Sequence, residues 1–213
     1  MFRLKETLEA YQRRDPAARS KLEIFLLYAG VHATLYHRLA HWLYCRKLRF
    51  LARAISQWSR FWTGIEIHPG AQIGRRFVID HGNGIVIGET AEIGVDLRIY
   101  QGVTLGGTGK DVGMRNATLG NTVMVGSGAK VLGPIRINDN ARIAAGAVVL
   151  QTVPENATAV GAPAQIVRIS GEKVKKYADE IDQTSVNNPT LEKLAALAQR
   201  VEELEQKIQE KEN

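Results

Sequence analysis

Residues 85–105 read IVIGETAEIGVDLRIYQGVTL, and in this stretch an aliphatic residue returns at every sixth position, at Ile87, Ile93, Ile99 and Leu105. Two positions ahead of each stands a second apolar residue: Ile85, Ala91, Leu97 and Val103. The same spacing holds upstream at Ile67, Ile73 and Ile79, and downstream at Leu119, Val125, Val131, Ile137, Ile143 and Val149. Each of these also has an apolar partner two residues before it, from Ile65 through Ala117 to Ala147. Such a period matches neither a helix nor a single long strand. It fits a solenoid whose coil has three short flat faces, each adding one aliphatic side chain to a continuous stacked core. An antiparallel sandwich with irregularly spaced turns would not keep so strict a repeat.

The flanks differ in kind. Of 20 glycines, 18 lie between Ile65 and Gly171, where turns between faces need left-handed backbone that glycine supplies cheaply. From Leu4 to Trp62 the apolar spacing is three and four, which predicts two to four helices, with Asp15-Pro16 as a helix N-cap followed by proline. After a linker over 170–190, Leu194, Leu197, Val201, Leu204 and Ile208 form a heptad-like seam, which predicts a coiled-coil helix over 191–213. The expected organisation is therefore a helical domain over 1–64, a β-solenoid over 65–169, the linker and the C-terminal helix.

Charge follows these boundaries, with a net +8 over residues 1–64, +1 over 65–171 and −3 over 172–213. The basic front reads as a solvated helical face, and neither a nucleic-acid nor a membrane partner is expected from it. The single Cys45 excludes an intramolecular disulfide. That, with no visible signal peptide and no apolar run long enough to span a bilayer, predicts a cytoplasmic protein. His37 and His41 stand one helical turn apart, but Leu39 and Trp42 around them point to packing, and no metal site is expected.

A strict repeat makes its interruptions informative. Ile79 and Ile87 are eight residues apart, an insertion of two within Asp80-His81-Gly82-Asn83-Gly84. Leu105 and Leu119 are fourteen apart, an excess of eight within 106–116. Insertions in a solenoid project as loops, and both carry ionisable residues.

The strings IEIHPGAQIGR (65–75), IDHGNGIVIGET (79–90) and QGVTLGGTGK (101–110), with Arg14-Asp15-Pro16-Ala17 and His41-Trp42, closely resemble the bacterial serine O-acetyltransferases. The resemblance runs over residues 10–170. It implies a left-handed parallel β-helix of hexapeptide repeats, a handedness that the general crossover rule would not have suggested. It also implies transfer of acetyl from acetyl-CoA to L-serine, giving O-acetyl-L-serine and CoA in cysteine biosynthesis.

That chemistry needs a base for the hydroxyl proton and charges that place the acceptor. His81 is the natural base, and the resemblance makes Glu66 its orienting carboxylate, where many members have Asp. It assigns Asp15 and Asp80 to the serine ammonium and Arg115 to the carboxylate. Asn116 stands where the family typically has histidine, so the acceptor's identity stays open at this point. Gly107, Thr108, Ser127, Ala145 and Arg142 match the positions that contact acetyl-CoA. Cys45 lies outside the loops, so direct attack in a ternary complex is expected.

Two readings from other classes are weaker. A metalloenzyme of the trimeric carbonic anhydrase type needs about three zinc-ligating histidines from the solenoid, which here holds only His68 and His81. A non-catalytic scaffold would have no use for Asp80-His81 or the 106–116 loop. Acetylation of homoserine or a sugar is the nearer rival. The resemblance also implies a homotrimer and leaves pairing of trimers open. It gives no support for a complex with O-acetylserine sulfhydrylase, which in the family captures a C-terminal isoleucine, whereas this chain ends Lys211-Glu212-Asn213.

Overall fold

The computed structural model describes residues 4–110, 112–174 and Arg200 of the 213. The heptad run from Leu194 to Ile208 and most of the linker lie outside the described residues. Four helices come first: α1 (Leu4–Arg14), α2 (Lys21–Leu27), α3 (Ala29–Cys45) and α4 (Arg49–Thr63). Thirteen short strands follow: β1 (Ile65–Ile67), β2 (Gln72–Ile73), β3 (Val78–Asp80), β4 (Ile85–Ile87), β5 (Glu92–Ile93), β6 (Arg98–Tyr100), β7 (Thr104–Gly106), β8 (Thr118–Leu119), β9 (Met124–Val125), β10 (Lys130–Leu132), β11 (Arg136–Ile137), β12 (Arg142–Ile143) and β13 (Val148–Val149). The chain then turns back on itself through β14 (Ala157–Gly161), β15 (Ala164–Ile169) and β16 (Glu172–Lys173), which pair antiparallel.

The strands form a parallel solenoid of about five turns with three faces. One face holds β1-β4-β7-β10-β13, the second β2-β5-β8-β11, and the third β3-β6-β9-β12 continuing into β14-β15-β16. All thirteen hexad aliphatics are buried, as are their apolar partners except the half-buried Ile135. Coils pair eighteen residues apart, as Val86 with Thr104 and Lys130 with Val148. The register lengthens to twenty where Ile65 meets Ile85, and to twenty-six where Thr104 meets Lys130. Both insertions are thus expelled at edges between faces, and the stack continues undisturbed beneath them.

The helices differ in one respect from the sequence reading. Asp15 does not begin a helix: its amide closes α1 on the Tyr11 carbonyl, and its Oδ1 accepts from the Ala17 amide. Ser20 caps α2 instead, its hydroxyl accepting from the Glu23 amide. The Asx turn at Asp15 competes successfully with helix initiation, so Pro16 sits in a turn. α3 and α4 pack on the first coil, and Tyr11, Ile24, Val31 and Val78 form a second small core that ties α1–α3 to β3. Contact is close at Gly30, where an added Cβ would fall 2.4 Å from the Tyr11 hydroxyl and 2.7 Å from the Ile79 carbonyl. No described helix is long and apolar enough to cross a membrane.

Inward and outward positions on one face should respond very differently to truncation. Ile99→Ala, in the stacked core, is expected to lower unfolding free energy by about 2–5 kcal/mol. Gln72→Ala, on the solvent side of β2, should stay within about 0.5 kcal/mol of wild type. Urea midpoints of the two variants check this.

Candidate functional site

The first insertion lies at the edge where the third face passes to the first. His81 occupies it with a φ of 60° and a side chain 74% exposed. Left-handed backbone recurs at turns of this solenoid, at Arg76, Asp96, Thr122 and Asn140 among others, and its conformational cost is offset by the surrounding coil. Beneath His81 the same edge runs through Gly84, Gly102, Gly128 and Gly146, all left-handed. At Gly128 and Gly146 nothing stands within 4 Å of where a Cβ would be. The result is an open edge that presents main chain. Ser127 and Ala145 lie in its turns, and Arg142 projects from β12 on the third face.

The helices close the upper end of this edge. A cleft of about 590 Å³ is lined by Asp15, Tyr28, Asp80, His81 and Arg98, among others. Asp80 ends β3, with Oδ1 3.7 Å from His81 Nε2 and Oδ2 accepting from Arg98 Nη2. Asp15 Oδ2 accepts from the Tyr28 hydroxyl at 2.7 Å, and this bond, with some burial, pushes the Tyr28 phenol up to about 12. Tyr11, fully buried, accepts from the Ile79 amide and anchors the strand that carries Asp80. Asp15, far from Asp80 and His81 in sequence, thus shares one cleft with them.

The second insertion lies at a different edge, where the first face passes to the second. Arg115 Nη2 donates to Glu89 Oε2, whose other oxygen accepts from the Tyr44 hydroxyl of α3 at 2.7 Å. The Tyr44 bond and then the Arg115 guanidinium hold the Glu89 carboxyl below its usual range. Asn116, only 3% exposed, packs over Gly88. Its Oδ1 accepts from the Thr90 amide and hydroxyl, and its Nδ2 donates to the Leu105 carbonyl. Its polar atoms are therefore spent on fastening the loop to the coil. Gly107 and Thr108 belong to this edge as well.

Glu66 projects from β1 on the first face, between the two edges. Its carboxylate faces Arg60 at 3.0 Å and Arg53 at 3.9 Å, both from α4. The nearer carboxylate to His81 in the single chain is Asp80. Away from both edges, His37 is buried, and desolvation lowers it to about 3. No cluster of three or more metal-ligating side chains occurs among the described residues. Arg98, Tyr28, Glu89 and Tyr44 were not singled out by sequence. For Arg98 a signal existed: the register of twenty sets it beside Val78 on the outer surface of the third face, one coil from Asp80.

Residues 116–151 match the family model described as bacterial transferase hexapeptide (six repeats). The chain is 49% identical to a serine acetyltransferase of Bacillus subtilis (strain 168) over 208 residues, covering 98% of this chain and 94% of the relative. It is 60% identical to a serine acetyltransferase of Helicobacter pylori (strain J99) over 167 residues, covering 78% and 98%. Among solved structures, a serine acetyltransferase from Brucella abortus strain S19 in complex with coenzyme A superposes with a TM-score of 0.77 at 41% identity, covering 80% of this chain and 67% of that one. A Neisseria gonorrhoeae serine acetyltransferase in complex with serine gives 0.75 at 41%, covering 78% and 67%.

The Glu89 cluster has a pH signature. A carboxyl held below its unfolded value of 4.5 adds stability above that pH and loses it as acid protonates the native state. Glu89→Gln should therefore show a shallower fall in stability than wild type as pH drops below 4.5. Denaturant titrations across that range check it.

Proposed function

The chain belongs to the serine acetyltransferases, and on that premise we propose that it moves acetyl from acetyl-CoA to the hydroxyl of L-serine in a site built from two neighbouring protomers. One observation carries the second half of this reading. Apart from Glu66, on the face between them, the residues expected at the site fall into two sets on two different edges: Asp15, Asp80, His81, Ser127, Ala145 and Arg142 at or beside the His81 edge, Arg115, Asn116, Gly107 and Thr108 at the Arg115 edge. Acceptor ligands and acyl-donor ligands are divided in the same way. An assembly that sets one copy's Arg115 edge against another copy's His81 edge completes both at once. Such a head-to-tail contact closes into a ring, for which a homotrimer is our reading.

In that site the Asp15 and Asp80 carboxylates take the serine ammonium, and Arg115 from the neighbouring copy takes the carboxylate through its planar fork. Acetyl-CoA lies along the glycine-lined edge, its pantetheine arm against main-chain groups near Ser127 and Ala145 and its phosphates toward Arg142. His81 removes the hydroxyl proton as the serine oxygen attacks the thioester carbon. The tetrahedral intermediate collapses, the C–S bond breaks, and the imidazolium returns the proton to the CoA thiolate. Glu66 orients the imidazole. Asn116 serves the acceptor indirectly, by fixing the backbone that carries Arg115. No acetyl-enzyme is required, since the only thiol, Cys45, ends α3. We read the product as a precursor for cysteine biosynthesis and the enzyme as cytoplasmic.

Release of CoA thiol with serine, homoserine and a sugar in parallel tests the reaction. Serine should be preferred, and His81→Ala should lower kcat by at least about a hundredfold. Preference for another acceptor would overturn the serine assignment. Complementation tests the shared site. His81→Ala and Arg115→Ala chains, each inactive alone, should regain about one quarter of wild-type activity when co-assembled in equal amounts, because about one interface in four then pairs two intact edges. No recovery would place the whole site on one chain.

A further inference from the structure

Within the cleft that receives the acceptor's ammonium, one carboxylate already has a cation. Arg98 projects from β6, one coil below Asp80, and its Nη2 donates to Asp80 Oδ2. The guanidinium carbon lies 4.7 Å from the centroid of the Tyr100 ring, and Nε is buried with no hydrogen-bond partner among the described residues. Asp15 differs: the donors it meets, the Tyr28 hydroxyl and the Ala17 amide, are neutral. The charged and titratable groups around the cleft are then Tyr11 of α1, Asp15 of the following turn, Tyr28 ahead of α3, Asp80 and His81 at the end of β3, and Arg98 of β6. The two carboxylates are not equivalent.

We infer that Arg98 is a specificity-determining residue of this site, a built-in cation that competes with the acceptor's ammonium for Asp80. The inference rests on the serine reading above. The pair is largely shielded, with side chains 23% and 17% exposed, so solvent screens the charges less than on an open surface. An incoming ammonium must either share Asp80 with a guanidinium already seated on it or displace that guanidinium. The unpartnered Nε is consistent with a guanidinium placed for one strong bond to Asp80 rather than for full satisfaction of its own donors. Arg98 thereby discriminates by charge: it weakens acceptors that bring a cation to Asp80 and leaves those that do not untouched.

The test pairs variants with acceptors of different charge. Arg98→Met removes the charge but keeps an apolar stem against Tyr100, Arg98→Gln serves as a second neutral variant should the first unfold, and Arg98→Lys retains the charge. The acceptors are L-serine, ethanolamine, which has the ammonium but no carboxylate, and 3-hydroxypropionate, which has the reverse. The measurement is KM, or the inhibition constant against serine where an acceptor does not turn over. Arg98→Met should lower the value for serine and ethanolamine roughly five- to tenfold, with kcat for serine within about twofold of wild type. It should leave 3-hydroxypropionate unchanged, and Arg98→Lys should stay near wild type. A purely structural role would shift all three acceptors together, and that result overturns the inference. So does a rise for the two ammonium acceptors, or an effect confined to 3-hydroxypropionate, which would make Arg98 a carboxylate ligand. Wild-type enzyme with no serine-dependent turnover overturns the proposed function itself, and this inference with it.

Discussion

A coil that must return to the same register every eighteen residues can take extra residues only at its edges. Each face of this solenoid contributes a strand of two or three residues whose outward and inward positions are fixed by pairing with the coils on either side. An insertion within a face would break that strand's pairing with the coils on either side and move its aliphatic side chain out of the stack. The stacked aliphatics from Ile65 to Val149 enforce that rule, because exposing even one coil's share would forfeit several buried side chains at roughly 1.5–3 kcal/mol each. The two places where the chain departs from the period are therefore edges. There the backbone is free to carry chemistry without cost to the core.

The placement of those edges shapes the catalytic reading. His81 and Arg115 sit at opposite ends of one face, each in its own insertion, and each is braced by the helical segment: Asp15 and Tyr28 stand over the first, and Tyr44 holds the second through Glu89 of the coil. The helices thus act as more than a cap on the first coil. They set the depth and charge of the cleft and the posture of the arginine. A solenoid alone would offer two loops and an open edge. With the helices, we propose, it offers two half-sites of complementary chemistry, one that suits an ammonium and one that suits a carboxylate.

Much of the architecture was legible in the sequence because a period of six leaves a mark at every coil. Thirteen aliphatic positions, both insertions and the helical front could be read from spacing alone, and the structure finds them where the spacing set them. The helix start was misread at Asp15 because an Asx turn and an N-cap use the same residue types, and only the backbone path separates them. Asp80 and His81 were legible because they interrupt a pattern. Arg98 was legible only through the register of twenty, since its outward position looks ordinary until it is set beside the strand that ends in Asp80. The partners of Glu66, Arg53 and Arg60, lie on a helix whose contacts leave no trace in the repeat. Asn116 was read for its side-chain chemistry, whereas the structure uses that chemistry inward, on Thr90 and Leu105.

The central claim is that neither edge is a site by itself. A crystal structure of the full chain with coenzyme A and serine bound tests it most directly. The account predicts coenzyme A lying between two copies, with Ser127 and Ala145 from one and Gly107 and Thr108 from the other, and serine held between Asp80 of the first and Arg115 of the second. Coenzyme A and serine bound wholly within one chain, or on a face away from both edges, would contradict it.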